Sequence, residues 1–413
     1  MEHKVSKELD YTPLLVAEPE YEYTRLYPQS GTTSTTVYSG GNDTVFEIPP
    51  SKAFNLSRSH FRFNFTIPGI ADKSQMVFAD FCPFFRQVQV YTRGGLYLMD
   101  HTNFHLHSKM VTARNKPLVE TENTFNTFVQ GEEQSMIPCL SSKLPRSYDP
   151  GFVFNPNSGE EAIVPYVETK YFAAGDAANA QLLLNVTIPF SEMYEWILCV
   201  DKDIMLNETL LIRFVWSELS NIAFSANPPP AKPANSPSTL MISSPDPTQG
   251  AAAIPAPANG TFNITDMAIY LAVEKNLAIV NELQSRIVSP DGFSLMIPYC
   301  YNNITSLIGN TSLMQYDYYP GQYDDYLALR WILKDSSILN PRVSRRNWCW
   351  IEEFGDGTSN FNKDNMITGI DLNLGEQKWD FNAFLSEATN LTHNTTIVCK
   401  RKLVITPNGL ALV

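Results

Sequence analysis

The sequence lacks the short motifs that mark common catalytic and nucleotide-binding sites. Its 413 residues contain no Gly-x-x-x-x-Gly-Lys phosphate loop, no Gly-x-Ser-x-Gly elbow, no His-Glu-x-x-His zinc motif and no Gly-x-Gly-x-x-Gly fingerprint. Glu352 and Glu353 are adjacent, so on a strand they would face opposite ways and could not act as a catalytic pair. We therefore predict that the protein is not an enzyme, and we assign it no catalytic, cofactor-binding or metal-binding residue.

Long apolar runs and a secretion signal are also missing. No run of 18 or more apolar residues occurs, so we expect no membrane-spanning helix. The first ten residues are largely charged, unlike a signal peptide. Without an expected route to the secretory lumen, the Asn-x-Ser/Thr triplets that begin at Asn64, Asn185 and Asn263, among others, are interpreted as Asn- and Thr-rich composition rather than as glycosylation sites.

Positive charge and cysteine are scarce. Lys and Arg number 30 against 43 Asp and Glu, and a net charge of −13 argues against a body-wide attraction to nucleic acid. The clusters Arg345-Arg346 and Lys400-Arg401-Lys402 are short, which favours strand edges or subunit contacts over a phosphate-binding site. The 6 cysteines are widely spaced without a Cys-x-x-Cys pair, so we favour free buried thiols in a reducing compartment over a disulfide framework.

Aromatic residues and alternating patterns are abundant and indicate an all-β protein. Phe, Tyr and Pro number 24, 19 and 28, a composition that favours strands and loops over helices. The clearest strand is His60–Ile67, in which four apolar residues beginning at Phe61 alternate with polar ones. Thr209–Trp216 and Asp266–Val273 alternate in the same way. Short strands with turn signals and few helices predict two β-sandwiches in tandem.

The chain divides into four predicted segments. Residues 1–40 are predicted to form an arm that is either extended or ordered on assembly, and residues 41–225 form the first strand-rich unit. A segment at 226–260 is rich in Pro and Ala and is predicted to be a linker or surface loop, since proline cannot donate to a sheet. Residues 261–413 form the second unit, in which Leu277, Val280, Leu283 and Ile287 have the spacing of an amphipathic helix.

Three local clusters offer weak functional signals. His101, His105 and His107 have a spacing that suits a metal, but no further ligand is visible nearby, so we favour surface or contact histidines. An aromatic-acidic stretch between Tyr316 and Tyr326 fits a protein contact or a tyrosine-anchored loop equally well. The acidic stretch Asp356–Asp364 lacks the spacing of a calcium loop and is explained by a turn.

The stretch Phe84–Met110 is the most specific pattern in the chain. Phe85–Thr92 is predicted to be a strand, Gly94-Gly95 a tight turn with positive φ values, and the segment after the return strand a short helix. This stretch, Thr187–Tyr194, Leu210–Ser217 and the closing Thr395–Ile405 resemble the double jelly-roll major capsid proteins of polinton-like viruses, adintoviruses and virophages. Thr92-Arg93-Gly94 stands where an Asn-Gly turn is often found in that family.

The resemblance implies two tandem eight-stranded jelly rolls with short helices in the connections. It implies a structural role without cofactors, in which homotrimeric, pseudo-hexagonal capsomers tile an icosahedral DNA-virus shell. The implied partners are further copies of the chain, neighbouring capsomers, penton and minor capsid proteins and an internal membrane, without sequence-specific nucleic acid. The location would be the virion shell, and the host cell during assembly. The alternative is a glycan- or receptor-binding β-sandwich, such as a spike, penton or lectin-like protein.

Overall fold

The computed structural model describes the chain in segments. These are residues 3–4, 18–37, 42–68, 75–78, 84–105, 107–108, 129–131, 136–137, 153–154, 161–162, 171–173, 181–193, 196–226, 256–257, 261–290, 292–302, 368–369 and 396–413. The Tyr-rich stretch, the acidic turn at 356–364, the Glu352-Glu353 pair, the Arg345-Arg346 cluster and most of the 226–260 segment lie outside the described residues.

Strands dominate the described residues. In chain order they are β1 (His3–Lys4), β2 (Tyr21–Leu26), β3 (Thr35–Val37), β4 (Asp43–Ile48), β5 (Ala53–Pro68), β6 (Gln75–Phe78), β7 (Phe85–Thr92), β8 (Tyr97–Thr102), β9 (Val129–Gly131), β10 (Met136–Ile137), β11 (Val153–Phe154), β12 (Glu161–Ala162), β13 (Tyr171–Ala173), β14 (Gln181–Pro189), β15 (Ile204–Met205), β16 (Leu210–Trp216), β17 (Ala223–Ala226), β18 (Ala256–Pro257), β19 (Phe262–Glu274), β20 (Phe293–Asn302), β21 (Thr368–Gly369), β22 (Thr396–Thr406) and β23 (Gly409–Leu412). The helices in the same residues include α1 (Leu219–Ile222) and α2 (Leu277–Val288), with 3-10 turns at Phe190–Glu192 and Ile197–Cys199, and residues 104–105 and 107–108 after β8 are also helical. The all-β class, with short helices in the connections, is confirmed.

Two antiparallel sheets form the sandwich of the first half. One has the order β4-β16-β7-β8, and the other has the order β2-β19-β5-β14-β9, with β3 beside β19 and β15 beside β5. The chain crosses between the sheets from β4 to β5, and it crosses back from β14 to β16. Because β14 pairs with β5 and β16 pairs with β4, the two crossing segments lie side by side as one antiparallel ribbon. This folded ribbon is the wrapping expected of a jelly roll.

Phenylalanine and tryptophan rings fill the space between the two sheets. Phe61 on β5 stacks on Phe214 on β16, with 4.8 Å between the ring centroids. Phe63 meets Trp216 edge-on at 5.2 Å. These four side chains are completely buried, as the alternation of the sequence predicts. Full burial of one such ring contributes about 1.5–3 kcal/mol, so this layer holds the two sheets together.

The second half shares a sheet with the first. β19, the opening strand of the predicted second unit, pairs with β5 from Asn263 to Val273, so the sheet continues across the predicted 226–260 boundary. β20, β22 and β23 form a separate three-stranded sheet, and its buried Leu295 and Leu403 belong to the same continuous core. The division into segments and the tandem eight-stranded count stay predictions.

Some local predictions hold and others change. The predicted amphipathic helix is α2, which buries Leu283 and Ile287 but leaves Leu277 73% exposed. The strand–turn–strand prediction at β7 and β8 is confirmed, although only Gly95 of the glycine pair has a positive φ, of 88°. Within the predicted arm, β2 and β3 are strands of the large sheet, because both pair with β19.

Candidate assembly surface

The outer face of the large sheet carries a row of aromatic and basic side chains. His60 on β5 lies opposite Tyr270 on β19, and their rings stack at 4.9 Å with 8° between the planes. Tyr23 on β2 meets the His60 ring edge-on at 5.6 Å. The Arg25 guanidinium lies 5.0 Å from the centre of the Tyr27 ring and 5.7 Å from that of Tyr270. We call these five residues the aromatic face.

The aromatic face is open to solvent. Tyr23 and Tyr27 are each 54% exposed. Tyrosine and arginine are the residues that protein contacts favour, because they combine a large contact area with a polar tip. Arg25 also pairs with Asp266 at 2.5 Å, which holds its guanidinium over the rings.

Asparagine and threonine continue this outer face beyond the rings. Asn64 on β5 pairs in register with Asn185 on β14 and with Thr265 on β19. Asn263 pairs with Thr66, and the Thr36 hydroxyl donates a hydrogen bond of 2.8 Å to the Asn263 side-chain oxygen. Three of the Asn-x-Thr triplets thus form cross-strand polar rows, because residues i and i+2 of a strand share a face.

A polar network fastens strand β2 to the body beside the aromatic face. The Tyr21 hydroxyl donates to Asp203 at 2.8 Å, and Asn55 and Arg58 both donate to Asp201 at 3.0 Å. Burial raises the pKa of Asp203, and the charge of Glu274 raises it further. Burial likewise raises the pKa of Tyr21, with the Asp203 hydrogen bond acting in the same direction.

Glu274 holds the segment just before β2. One of its side-chain oxygens, Oε1, accepts hydrogen bonds from the backbone nitrogens of Glu20, at 2.9 Å, and Asn276, at 2.6 Å. The Asn276 side chain caps α2 through the Ala278 nitrogen and also donates to the Glu18 carbonyl. The bonds to Glu20 and Glu18 join residues more than 250 positions apart and fix where the N-terminal segment enters the sheet.

The predicted histidine cluster forms, but not at the surface. His101 and His107 are 1% and 6% exposed, and their rings lie 4.5 Å apart. In the described part of the chain, no three His, Cys, Asp or Glu side chains come together in a way that could hold a metal ion. The surface-histidine interpretation is therefore wrong for these two residues, which pack around Trp196.

The Lys400–Lys402 cluster lies on β22 in the middle of the three-stranded sheet. Arg401 donates to the Leu412 carbonyl on β23 at 2.9 Å, and its guanidinium lies 5.3 Å from the centre of the Tyr299 ring. Arg401 thus makes contacts within its own sheet.

No helix in the described residues is both long and apolar enough to span a membrane.

Sequence reasoning missed the aromatic face. A signal was present, since Tyr21, Tyr23, Arg25 and Tyr27 alternate with other residues as a strand face requires. The sequence could not show that His60 and Tyr270 lie side by side, because 210 positions separate them. Only the pairing of β5 with β19 brings them together.

Comparisons with known proteins give distant structural likenesses. No family model and no curated protein matches the sequence. Among solved structures, the Faustovirus major capsid protein is 13% identical over 74% of this chain and 62% of its own, with a TM-score of 0.33. A Sputnik virophage chain is 11% identical over 74% and 56%, with a TM-score of 0.33. The mavirus major capsid protein is 9% identical over 73% and 55%, with a TM-score of 0.32. This chain spans less than two thirds of the length of each.

Proposed function

We propose that this protein is a major capsid protein, a structural building block of a virus shell rather than an enzyme. The observation that carries the proposal is the folded ribbon in which β4 and β5 pair with β16 and β14 across two sheets. Jelly rolls of this kind are used in viral capsids and in lectins. The resemblance of the strand and hairpin motifs to the capsid family supports the first of these uses.

The proposed assembly is a homotrimer with a pseudo-hexagonal outline. Trimers tile an icosahedral shell and meet neighbouring capsomers, penton and minor capsid proteins and an internal membrane. The aromatic face supports this role, because it offers exposed Tyr and Arg side chains on a sheet that the Phe-rich core keeps rigid. The net charge of −13 fits a shell protein that leaves sequence-specific genome contacts to other proteins.

The solution mass of the purified chain tests the proposal directly. We expect light scattering to give three times the 46.5 kDa chain mass, and negative-stain images of the same peak to show a hexagonal outline. Dilution should leave this species intact, because obligate interfaces are large and dissociate slowly. A monomer at micromolar concentration would contradict the capsid role.

A glycan- or receptor-binding sandwich is the second candidate. The specific observation in its favour is the 54% exposed ring of Tyr23 beside the stacked His60 and Tyr270, since an aromatic ring at a surface also suits the apolar face of a sugar. A monomer whose melting temperature rises with one class of glycan would favour this candidate. A trimer that no glycan stabilises would exclude it.

A further inference from the structure

Helix α2 presents an exposed face that carries no charge. Leu277 and Val288, at its two ends, are 73% and 70% exposed. Between them, the side chains of Asn281 and Gln284 are exposed as well. An α-helix has 3.6 residues per turn, so these four positions, which follow one another by four, three and four residues, lie along one narrow stripe. We call these four residues the α2 seam.

The other sides of α2 are occupied by contacts within the chain. Leu283 and Ile287 are buried in the core and fix how the helix lies on the body. Glu282 and Arg286, the two charged residues of α2, form an ion pair of 2.7 Å across one turn. Both lie about 140–180° round the helix from Leu277, so the charge of α2 is kept away from the seam.

The composition of the seam indicates a contact with protein. Solvent-facing sides of helices usually carry charged residues, whereas charge is depleted at the centre of protein interfaces. Ala278 and Ser285, which are exposed beside the seam, are small and leave room for a second helix. A lipid surface fits less well, because Asn281 and Gln284 would lose water there, and the seam has no Lys or Arg to meet headgroups.

The seam is complementary to a second copy of itself. Its spacing is that of a heptad repeat, in which Asn281 and Val288 take the a positions and Leu277 and Gln284 the d positions. When parallel helices meet about a rotation axis, each residue faces its own counterpart. Leucine and valine then pack on themselves, and a side-chain amide pairs with its counterpart because it both donates and accepts hydrogen bonds. A charged residue would instead face a like charge.

We infer that α2 is a self-association helix, whose seam packs against the α2 seams of the two other copies at the axis of the proposed trimer. This inference rests on the proposed function, since it names the place at which the copies of the trimer meet. Asn281 at an a position fixes the register of the helices, as a single polar residue does in coiled coils. Three helical turns are too short to hold the chains together alone, so the seam adds to a larger contact between the copies.

Opposite charges introduced at Gln284 test the inference on the full chain. Gln284→Glu and Gln284→Lys each place like charges together, and each should raise the concentration at which the trimer dissociates at least about tenfold. An equimolar mixture of the two variants should recover most of this loss, because opposite charges then meet. Light scattering over a dilution series measures the effect, with mild urea present where dilution alone leaves the trimer intact.

Ser285→Glu is the matched control for Gln284→Glu. It adds the same charge to an exposed position of the same helix, but about 100° round from Gln284, and should weaken the trimer much less. Urea unfolding of each variant checks that folding is unchanged, as expected for substitutions at exposed positions.

A cysteine at position 284 gives a second measurement that does not require the trimer to dissociate. Oxidation of Gln284→Cys should join two chains by a disulfide, seen on a non-reducing gel, because the counterparts lie side by side. Ser285→Cys should cross-link to a much smaller extent, and the wild-type chain shows the background from the native cysteines.

A wild-type trimer that both charge variants leave intact would overturn the inference and leave the capsid role standing. A mixture of the charge variants no stronger than its components would also overturn it, as would equal cross-linking of the two cysteine variants. A wild-type chain that stays monomeric would overturn the inference and the proposed trimer together.

Discussion

The inner and outer faces of strand β5 differ in how their aromatic rings are used. On the inner face Phe61, Phe63 and Phe65 are completely buried among other rings. On the outer face, His60 stacks on Tyr270 in contact with water. The inner residues are apolar and pack on rings of the facing sheet, whereas the outer ones carry polar tips and contact neighbours within their own sheet. Burial between sheets secures the fold, and the outer face is left available for contacts.

The largest loss of stability is expected from a substitution on the inner face of β5. Phe61 packs on Phe46 at 5.2 Å, on Phe214 at 4.8 Å and on Phe85 at 5.9 Å. Phe61→Ala should lower the free energy of unfolding by about 3–5 kcal/mol, because it leaves a cavity among these rings. Phe61→Leu should cost clearly less, since it refills part of the space. Chemical denaturation measures both, and equal losses would contradict the cavity explanation.

An intermediate loss of stability is expected when Gly292, in the second half of the chain, is substituted. Gly292 has a φ of 60°, and an added Cβ would collide with the carbonyl oxygen of Ile405 on β22. Gly292→Ala should cost more than about 1–3 kcal/mol, because a backbone clash adds to the strained conformation.

Gly95→Ala is the matched control for Gly292. Gly95 also has a positive φ, of 88°, but an added Cβ would meet no atom within 4 Å. It should therefore cost only about 1 kcal/mol, the conformational penalty alone. Thermal or urea unfolding of the two variants separates the penalties. A Gly292→Ala protein as stable as Gly95→Ala would show that β22 can move away.

The sequence predicted elements whose pattern is local and missed arrangements that depend on distant pairing. β5, β7, β16 and α2 were predictable because alternation or helical spacing shows which side of each element is buried. The joining of β19 to β5 was not, since the alternation of Asp266–Val273 is equally compatible with a sheet of either half. The burial of His101 also escaped prediction, because Trp196, which packs on its ring, lies 95 positions away.

The smallest effect on folding, and the most direct test of the outer face, is expected at Tyr23. Its ring is 54% exposed and touches His60 only edge-on, so Tyr23→Ser should change the free energy of unfolding by no more than about 0.5–1 kcal/mol. If the aromatic face is a contact between copies of the chain, the same change should weaken the trimer at least about fivefold, since truncated rings at interface centres cost more than about 1 kcal/mol.

Tyr97→Ser is the matched control, because Tyr97 is 43% exposed and stacks on Tyr91 on the other sheet. Light scattering over a dilution series, with urea unfolding of the same samples, separates assembly from folding. A trimer that Tyr97→Ser weakens and Tyr23→Ser leaves intact would move the contact surface to the four-stranded sheet, and the outer face of β5 would then serve only as a solvated side of the sandwich.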